Sequence, residues 1–429
     1  MKLRVKRSEG LGGSVAIPGS KSHTIRSLFI ASLAEGESII RAPLISKDAI
    51  SAVTTCRAFG AEVTEEEGLF RVRGFGRTPR LPGNIVDVGN SGTTMIFSIC
   101  TAALVRAEGA TVLTGDEQTR RRPLGPLIDA LSGLGIEIFS TGNNGNPPVV
   151  VRGAAKMSRA SSCRIDAQIS QYLSSLLIHA PLFEKDIDVE IIKLLEVPYV
   201  EMTLWWLDRF GIRYENRDFK HFHIYGGQSY RPFDRTIPGD FSSATFFAVL
   251  AAISGAEIFM KNLDMSDVQG DKEVVRMLER MGARVTVKPG GVAVKGDRLT
   301  GARLDLGDTP DAICAMAVAG CFAEGETRLE NVPQARLKET DRIAVMATEL
   351  KKMGADVEEQ PDGLIIRRSV LKGAELNGYG DHRVVMSLAT AGLVAGGVTT
   401  VSGAEAASVT FPEFIRLIKE CGGDIETID

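Results

Sequence analysis

A repeat of roughly 70 residues, present six times, limits how this chain can fold more than any single motif does. One short ending recurs: apolar residue, Gly, small or apolar residue, polar residue, apolar residue. It occurs at Gly60 (FGAEV), Gly135 (LGIEI), Gly211 (FGIRY), Gly282 (MGARV), Gly354 (MGADV) and Gly422 (CGGDI), at spacings of 75, 76, 71, 72 and 68 residues. An amphipathic helical pattern precedes each Gly. Val274, Val275, Leu278 and Met281 form one such stripe, and Ile343, Met346, Ala347 and Leu350 another. The Gly is predicted to end the helix in left-handed geometry, with a strand following directly.

A second series runs in step with the first. Segments that are apolar nearly all round follow small polar openings near Ser22, Ser91, Ser170, Ser243, Asp311 and Asp381, at intervals of 69, 79, 73, 68 and 70 residues. A helix that is hydrophobic on every side belongs in a core. Each unit therefore carries one exposed helix, one buried helix and several strands, which makes the chain α/β. Six units group as three plus three. The Pro/Gly-rich stretch Tyr230 to Asp240 (YRPFDRTIPGD) marks one break, and Ile17-Pro18-Gly19 the other crossing. The expected domains are residues 1–17 with 238–429, and residues 18–237. The first strand is then expected to pair with the C-terminal half.

Bulk properties agree with two cores. A chain of 429 residues exceeds what one core usually holds. The net charge of −4 gives no general attraction to nucleic acid or an anionic membrane, so neither is expected as a partner. The six cysteines lie mostly in apolar runs without a CxxC pair, the pattern of reduced core thiols in a cytoplasmic protein. The start MKLRVKRSEG lacks the apolar stretch of a signal peptide, and Ala312 to Ala323 is too short to cross a bilayer.

The chemistry is expected where the buried helices begin. Helix N-termini carry free N–H groups and partial positive charge, so several converging on one cleft between two domains would attract anions. Lys21 and Arg26 follow Pro18-Gly19-Ser20 at one start, without the upstream Gly of a Walker loop. Gly89-Asn90-Ser91-Gly92 is a turn that a ligand can approach closely, and Gly380-Asp381-His382-Arg383 opens the sixth helix. Taken as ordinary structure, Ser22, Ser91, Ser243 and Asp311 are N-caps. Glu339 and Arg342 are three apart and can form a surface ion pair worth about 0–1 kcal/mol. His221 and His223 share a strand face without a third metal ligand, and Trp205-Trp206 fits helix packing better than a base-stacking platform.

PGSKS with Arg26, GNSGTT, RRRPLG, GDFSSA, VQGD, KETDR, GDHR and TFPEF, in this order over residues 18–414, resemble the 5-enolpyruvylshikimate-3-phosphate synthases of the enolpyruvyl transferase superfamily. The resemblance implies a two-domain inverted α/β barrel-like fold, with three βαβαββ repeats per domain and the active site in the cleft. It implies transfer of the enolpyruvyl group of phosphoenolpyruvate to the 5-hydroxyl of shikimate 3-phosphate, with loss of phosphate, by a monomer without cofactor or metal. Lys21, Asn90, Gly92, Arg122, Arg342 and Arg383 would line the phosphoenolpyruvate site, with His382 beside them. Ser22, Arg26, Ser170, Gln171, Tyr199, Asp311, Gln334 and Lys338 would meet the acceptor. Asp311 and Glu339 would move protons, with Lys21 and His382 in the catalytic group. Gly92 would leave space that a methyl group fills, implying sensitivity to glyphosate.

Five positions depart from the family pattern. Glu196 and Ile169 replace phosphate-contacting serines, Gln334 an Asn, Ile96 an Arg and Val409 a Lys. Most lie on the acceptor side, which keeps open transfer to a nucleotide or sugar, or a non-catalytic binding protein. The UDP-sugar enzymes usually carry a reactive Cys before the Arg-Pro turn, where this chain has Asp116-Glu117-Gln118.

Overall fold

The computed structural model describes residues 1–153 and 161–429. These divide into two compact units, Met1–Ser20 with Pro238–Asp429, and Lys21–Ile237. Each unit has its own continuous apolar core.

The repeated glycines explain the local build. Gly60, Gly135, Gly211, Gly282, Gly354 and Gly422 have φ of 113°, 84°, 65°, 109°, 89° and 84°. A residue with a Cβ is strained there, so Gly ends each helix at low cost. The helices before them are Lys47–Phe59, Gly125–Gly133, Val197–Arg209, Glu273–Arg280, Arg342–Lys352 and Phe414–Glu420. The strands after them are Glu62–Glu66, Glu137–Ser140, Tyr214–Arg217, Arg284–Lys288, Asp356–Gln360 and Asp424–Ile428. The expected stripes are buried, as at Val274, Val275 and Leu278. Glu349 breaks the pattern in Arg342–Lys352. It is fully buried, and its carboxylate accepts from Lys352 Nζ (2.8 Å), the Asn377 N–H (3.0 Å) and the Tyr379 hydroxyl (2.9 Å).

Among the described residues the strands form six four-stranded sheets with one shared pattern, a parallel pair extended by two antiparallel pairings. The N-terminal strand Lys2–Lys6 pairs antiparallel with Val398–Ser402 and Asp424–Ile428, as its sequence position suggested. Leu3 and Val5 point into the core and their neighbours outward, the period-2 alternation of a half-buried strand. Gly13–Ala16 runs parallel to Glu257–Lys261. Ser20 N–H then donates to Pro238 C=O at 2.8 Å, and Asp240 N–H to Pro18 C=O at 2.9 Å.

The six buried helices are Lys21–Ser32, Gly92–Ala103, Ser170–His179, Phe241–Ser254, Ile313–Phe322 and His382–Gly392. Among the described residues no helix is long and apolar enough to cross a membrane. Ser91 caps its helix as expected, accepting from Thr94 N–H. Three other expectations are corrected. Ser243 lies inside the first turn and Asp240 is the cap. Ser22 is the second residue of its helix. Asp311 lies inside the 3-10 turn Pro310–Ala312, one residue past its N-terminal Pro310, with its carboxylate bound to two guanidinium groups. All six cysteines are buried and unbridged. Trp206 is buried, and its indole N–H donates to His23 Nδ1 at 3.0 Å, so the tryptophan pair packs the helix as expected. His221 and His223 both meet Asp188 Oδ1, at 3.1 and 3.0 Å.

His179 gives the fold a pH dependence. It is wholly buried, its Nδ1 meets Ser175 C=O at 2.8 Å, and its Nε2 meets the Thr101 hydroxyl at 2.9 Å. A carbonyl only accepts, so Nδ1 carries the proton and Nε2 accepts. Burial pulls its pKa from 6.5 down to about 4, partly opposed by the Ser175 carbonyl. The unfolded chain therefore binds the proton first as pH falls, and stability is lost between pH 6.5 and about 4. The full effect is about 3 kcal/mol. Both tryptophans lie in this unit, so their fluorescence reports its urea unfolding. His179→Gln should flatten the fall in midpoint between pH 7 and pH 4.5. An unchanged slope would assign the pH dependence to other groups.

Candidate active site

Arg342 organises the charged residues of the first unit. It opens the helix Arg342–Lys352, is 1% exposed, and spends its guanidinium on three carboxylates. Nη1 donates to Asp311 Oδ1 at 2.7 Å, Nη2 to Glu339 Oε2 at 2.5 Å, and Nε to Asp381 Oδ2 at 2.8 Å. Burial alone would lower its pKa, but Asp381, Glu339 and Asp311 more than offset that and raise it well above the ordinary value. Arg383 Nη2 lies 2.8 Å from Asp311 Oδ2, so two guanidinium groups grip that carboxylate. Glu339 and Arg342 are thus a buried pair, not the surface pair their spacing suggested.

Asp381 is the residue the sequence reading undervalued. It is fully buried, caps the helix His382–Gly392 through the Arg383 N–H (2.9 Å), and accepts the Thr340 hydroxyl (3.0 Å) besides holding Arg342. Its place as a helix cap is legible in GDHR, but nothing in the sequence says that its carboxylate also reaches position 342. His382, 2% exposed, begins the same helix. Gln334 anchors its amide N–H on Gly307 C=O at 2.8 Å, leaving its buried Oε1 without a protein hydrogen bond among the described residues. Lys338 is half-buried in the segment leading to Arg342.

The second unit holds the other expected residues in three groups. In the first, Lys21 opens its helix with Nζ 3.3 Å from Asp48 Oδ2. Asp48 was missed, because no sequence signal links it to position 21. The second centres on Arg26, which is 1% exposed. It donates to Thr203 Oγ1 (2.9 Å), Ser22 C=O (3.2 Å), Ser174 Oγ (3.3 Å) and Tyr199 C=O (2.9 Å), and has no carboxylate partner among the described residues. Burial pulls its pKa down to about 10, opposed in part by Tyr199, so it stays cationic at neutral pH. In the same group, Ser170 donates its hydroxyl to Glu196 at 2.7 Å, and the half-buried Gln171 follows it on the helix.

The third group joins Asn90, Gly92 and Arg122. Asn90 Nδ2 donates to Asp116 Oδ2 and Gln118 Oε1, both at 2.7 Å, tying the GNSG turn to the loop before the arginine run. A Cβ built on Gly92 would lie 2.1 Å from Arg122 Nη1 and 2.9 Å from its Cζ. The space that Gly92 leaves is therefore taken by a guanidinium, which corrects the picture of an open methyl-sized gap.

Known proteins resemble this chain over nearly its whole length. Residues 5–418 match the family model described as EPSP synthase (3-phosphoshikimate 1-carboxyvinyltransferase). The chain belongs to the EPSP synthase family. A relative from Acetivibrio thermocellus, named 3-phosphoshikimate 1-carboxyvinyltransferase, is 59% identical over the full length of both chains. A relative of the same name from Methanocaldococcus jannaschii is 41% identical over 99% of each. The solved EPSP synthase of Acinetobacter baumannii superposes with a TM-score of 0.85 at 27% identity, covering both chains completely. The mixed α/β fold is that of EPSP synthases.

Gly92→Ala tests the Arg122 contact. Gly92 opens a helix at an ordinary φ, so the backbone accepts Ala readily. The atoms that must move are the far end of a flexible side chain, so the thermal midpoint should stay within a few degrees. Displacing Arg122 should raise the KM for phosphoenolpyruvate about tenfold, which is 1.4 kcal/mol of lost binding. Steady-state kinetics with an unchanged KM would show that Arg122 does not hold that substrate.

Proposed function

We propose that the charged residues described above carry out transfer of the carboxyvinyl group of phosphoenolpyruvate to the 5-hydroxyl of shikimate 3-phosphate. That reaction is the activity of the EPSP synthase family, in aromatic amino-acid biosynthesis. The observation that carries the residue roles is the buried Arg342 network, which fixes two carboxylates beside a second guanidinium without exposing the central charge.

The chemistry needs a base, an acid and an anion clamp. The acceptor hydroxyl loses its proton as its oxygen bonds to C2 of phosphoenolpyruvate, and C3 gains a proton. The tetrahedral intermediate then loses that C3 proton as the C2–O bond to phosphate breaks. Asp311 and Glu339 are the two groups assigned to proton movement. Arg342 and Arg383 both contact the Asp311 carboxylate and fix its position. Lys21, Arg122 and Arg383 supply positive charge for the phosphate and carboxylate of phosphoenolpyruvate, with Asn90 and Gly92 shaping the turn beside Arg122. His382 opens the helix next to Arg383. Arg342 itself acts mainly by orienting the carboxylates, since its Nε, Nη1 and Nη2 each donate to a carboxylate within the chain.

On the acceptor side, Arg26 is a buried cation whose protein partners are all neutral oxygens, the environment that an anionic substrate group completes. Ser22, Ser170, Gln171, Tyr199, Gln334 and Lys338 complete the acceptor set in this reading. The same reading has the chain act as a monomer on small anions, without a nucleic-acid partner, in the cytoplasm. The net charge of −4 and six buried, unbridged thiols support it.

Phosphate release from phosphoenolpyruvate, measured with shikimate 3-phosphate and a panel of other acceptors, tests the activity. Shikimate 3-phosphate should give the highest kcat/KM. Lys21→Ala and Glu339→Ala should each lower kcat at least 100-fold, within the range for lost charge stabilisation or proton transfer. Near-wild-type turnover in both would remove these assignments.

A further inference from the structure

The helix Ser170–His179 takes its N-terminal acceptor from a distant residue. Gly92–Ala103, in the same unit, is capped by the adjacent Ser91, whereas Ile169 offers Ser170–His179 no polar side chain. Glu196 fills that role from 26 residues away. Its Oε2 accepts the Ser170 hydroxyl at 2.7 Å and the Ser170 N–H at 3.3 Å. Glu196 is 1% exposed and sits in left-handed geometry, with φ 59° and ψ 45°. A residue with a Cβ stays in that region only where its surroundings over-determine it. Here the two bonds from Ser170 help to hold the side chain in place.

The helices Ser170–His179 and Val197–Arg209, the second beginning just after Glu196, also hold Arg26. Ser174, one turn beyond Ser170, takes one of its donors, and Tyr199, three residues past Glu196, takes another through its carbonyl. These elements therefore present a buried guanidinium without a carboxylate partner among the described residues, while the Glu196 carboxylate accepts from Ser170. The arrangement favours an incoming anion at Arg26 and opposes one at Ser170.

We propose that Glu196 is a specificity-determining residue, whose carboxylate occupies the anion contact of Ser170 and has to be displaced by the phosphate of the acceptor. The inference rests on the reading that Ser170 contacts the acceptor. A serine hydroxyl has one proton to donate, so Ser170 serves Glu196 or the phosphate but not both. A charge-assisted bond of this kind is stronger than a neutral one, and two anions brought together in a buried site repel. Glu196 thereby lowers affinity for a phosphorylated acceptor below what Ser170 and Arg26 would otherwise give. An acceptor without phosphate meets no such competition.

Binding of shikimate 3-phosphate and of shikimate, titrated calorimetrically against Glu196→Asn and Glu196→Gln, tests this. Asn tolerates left-handed geometry and is too short to reach Ser170 as Glu does. It should tighten shikimate 3-phosphate about tenfold, with the kinetic change on the acceptor KM. Gln keeps an accepting oxygen but loses the charge, so its gain should be smaller. Shikimate should bind all three proteins alike, which a general loosening of the site would not produce. Unchanged or weaker binding of shikimate 3-phosphate in both variants would overturn the proposal. Ser170→Ala separates the two levels. Wild-type affinity there removes Ser170 from the acceptor site, and the proposal with it. Weaker binding there, without a gain in Glu196→Asn, overturns the displacement alone.

Discussion

A guanidinium taken out of water costs several kcal/mol unless charge and hydrogen bonds replace its hydration. Arg342 meets that requirement with three carboxylates, one of them fully buried. The arrangement constrains more than the arginine. Each carboxylate comes from a different part of the sequence: Asp311 from a 3-10 turn, Glu339 from the segment before the helix, and Asp381 from a helix cap. Their backbones are fixed by the strands and core helices around them, so the charge network is only as well placed as the sheets allow. Removing one member would leave buried charge uncompensated, which typically costs about 3–5 kcal/mol.

Helix ends are the recurring solution. Ser91, Asp240 and Asp381 satisfy their own helix N–H groups from the position before the helix. Asp381 adds a second use by turning its carboxylate to Arg342 as well. Glu349 shows the same economy two turns along the Arg342 helix, where one buried carboxylate ties that helix to the strand and turn leading to Asp381. A local capping preference thus becomes a long-range tether wherever the carboxylate has lone pairs left over.

Much of this was legible in the sequence because it obeys short rules. The glycines at 60, 135, 211, 282, 354 and 422 announce left-handed helix ends, and all six have positive φ. The apolar segments after the small polar openings announce buried helices, and they are buried. The motifs carrying Lys21, Glu339, Arg342 and Arg383 announced the family. What stayed hidden depends on side chains meeting across long stretches of sequence. Asp48 beside Lys21, Asp381 on Arg342 and Glu196 on Ser170 have no periodicity to reveal them. The assignment of Ser22, Ser243 and Asp311 as caps failed for a related reason. Composition at a helix start marks the neighbourhood of a cap, while its exact position is set by where the backbone turns.

The two most buried arginines of the charged clusters separate structure from recognition. Arg342 and Arg26 are equally hidden from solvent, at 1% exposure each. Burial lowers the pKa of Arg26 to about 10, whereas the acidic partners of Arg342 raise its value well above the ordinary one. The contrast follows from their partners, carboxylates for one and hydroxyls and carbonyls for the other. Neutral oxygens satisfy the geometry of a guanidinium but not its charge, so Arg26 retains a net attraction for an anion that Arg342 has already used inside the chain. A carboxylate or phosphate group therefore gains more from Arg26 than from Arg342, whose charge is already met by Asp311, Glu339 and Asp381.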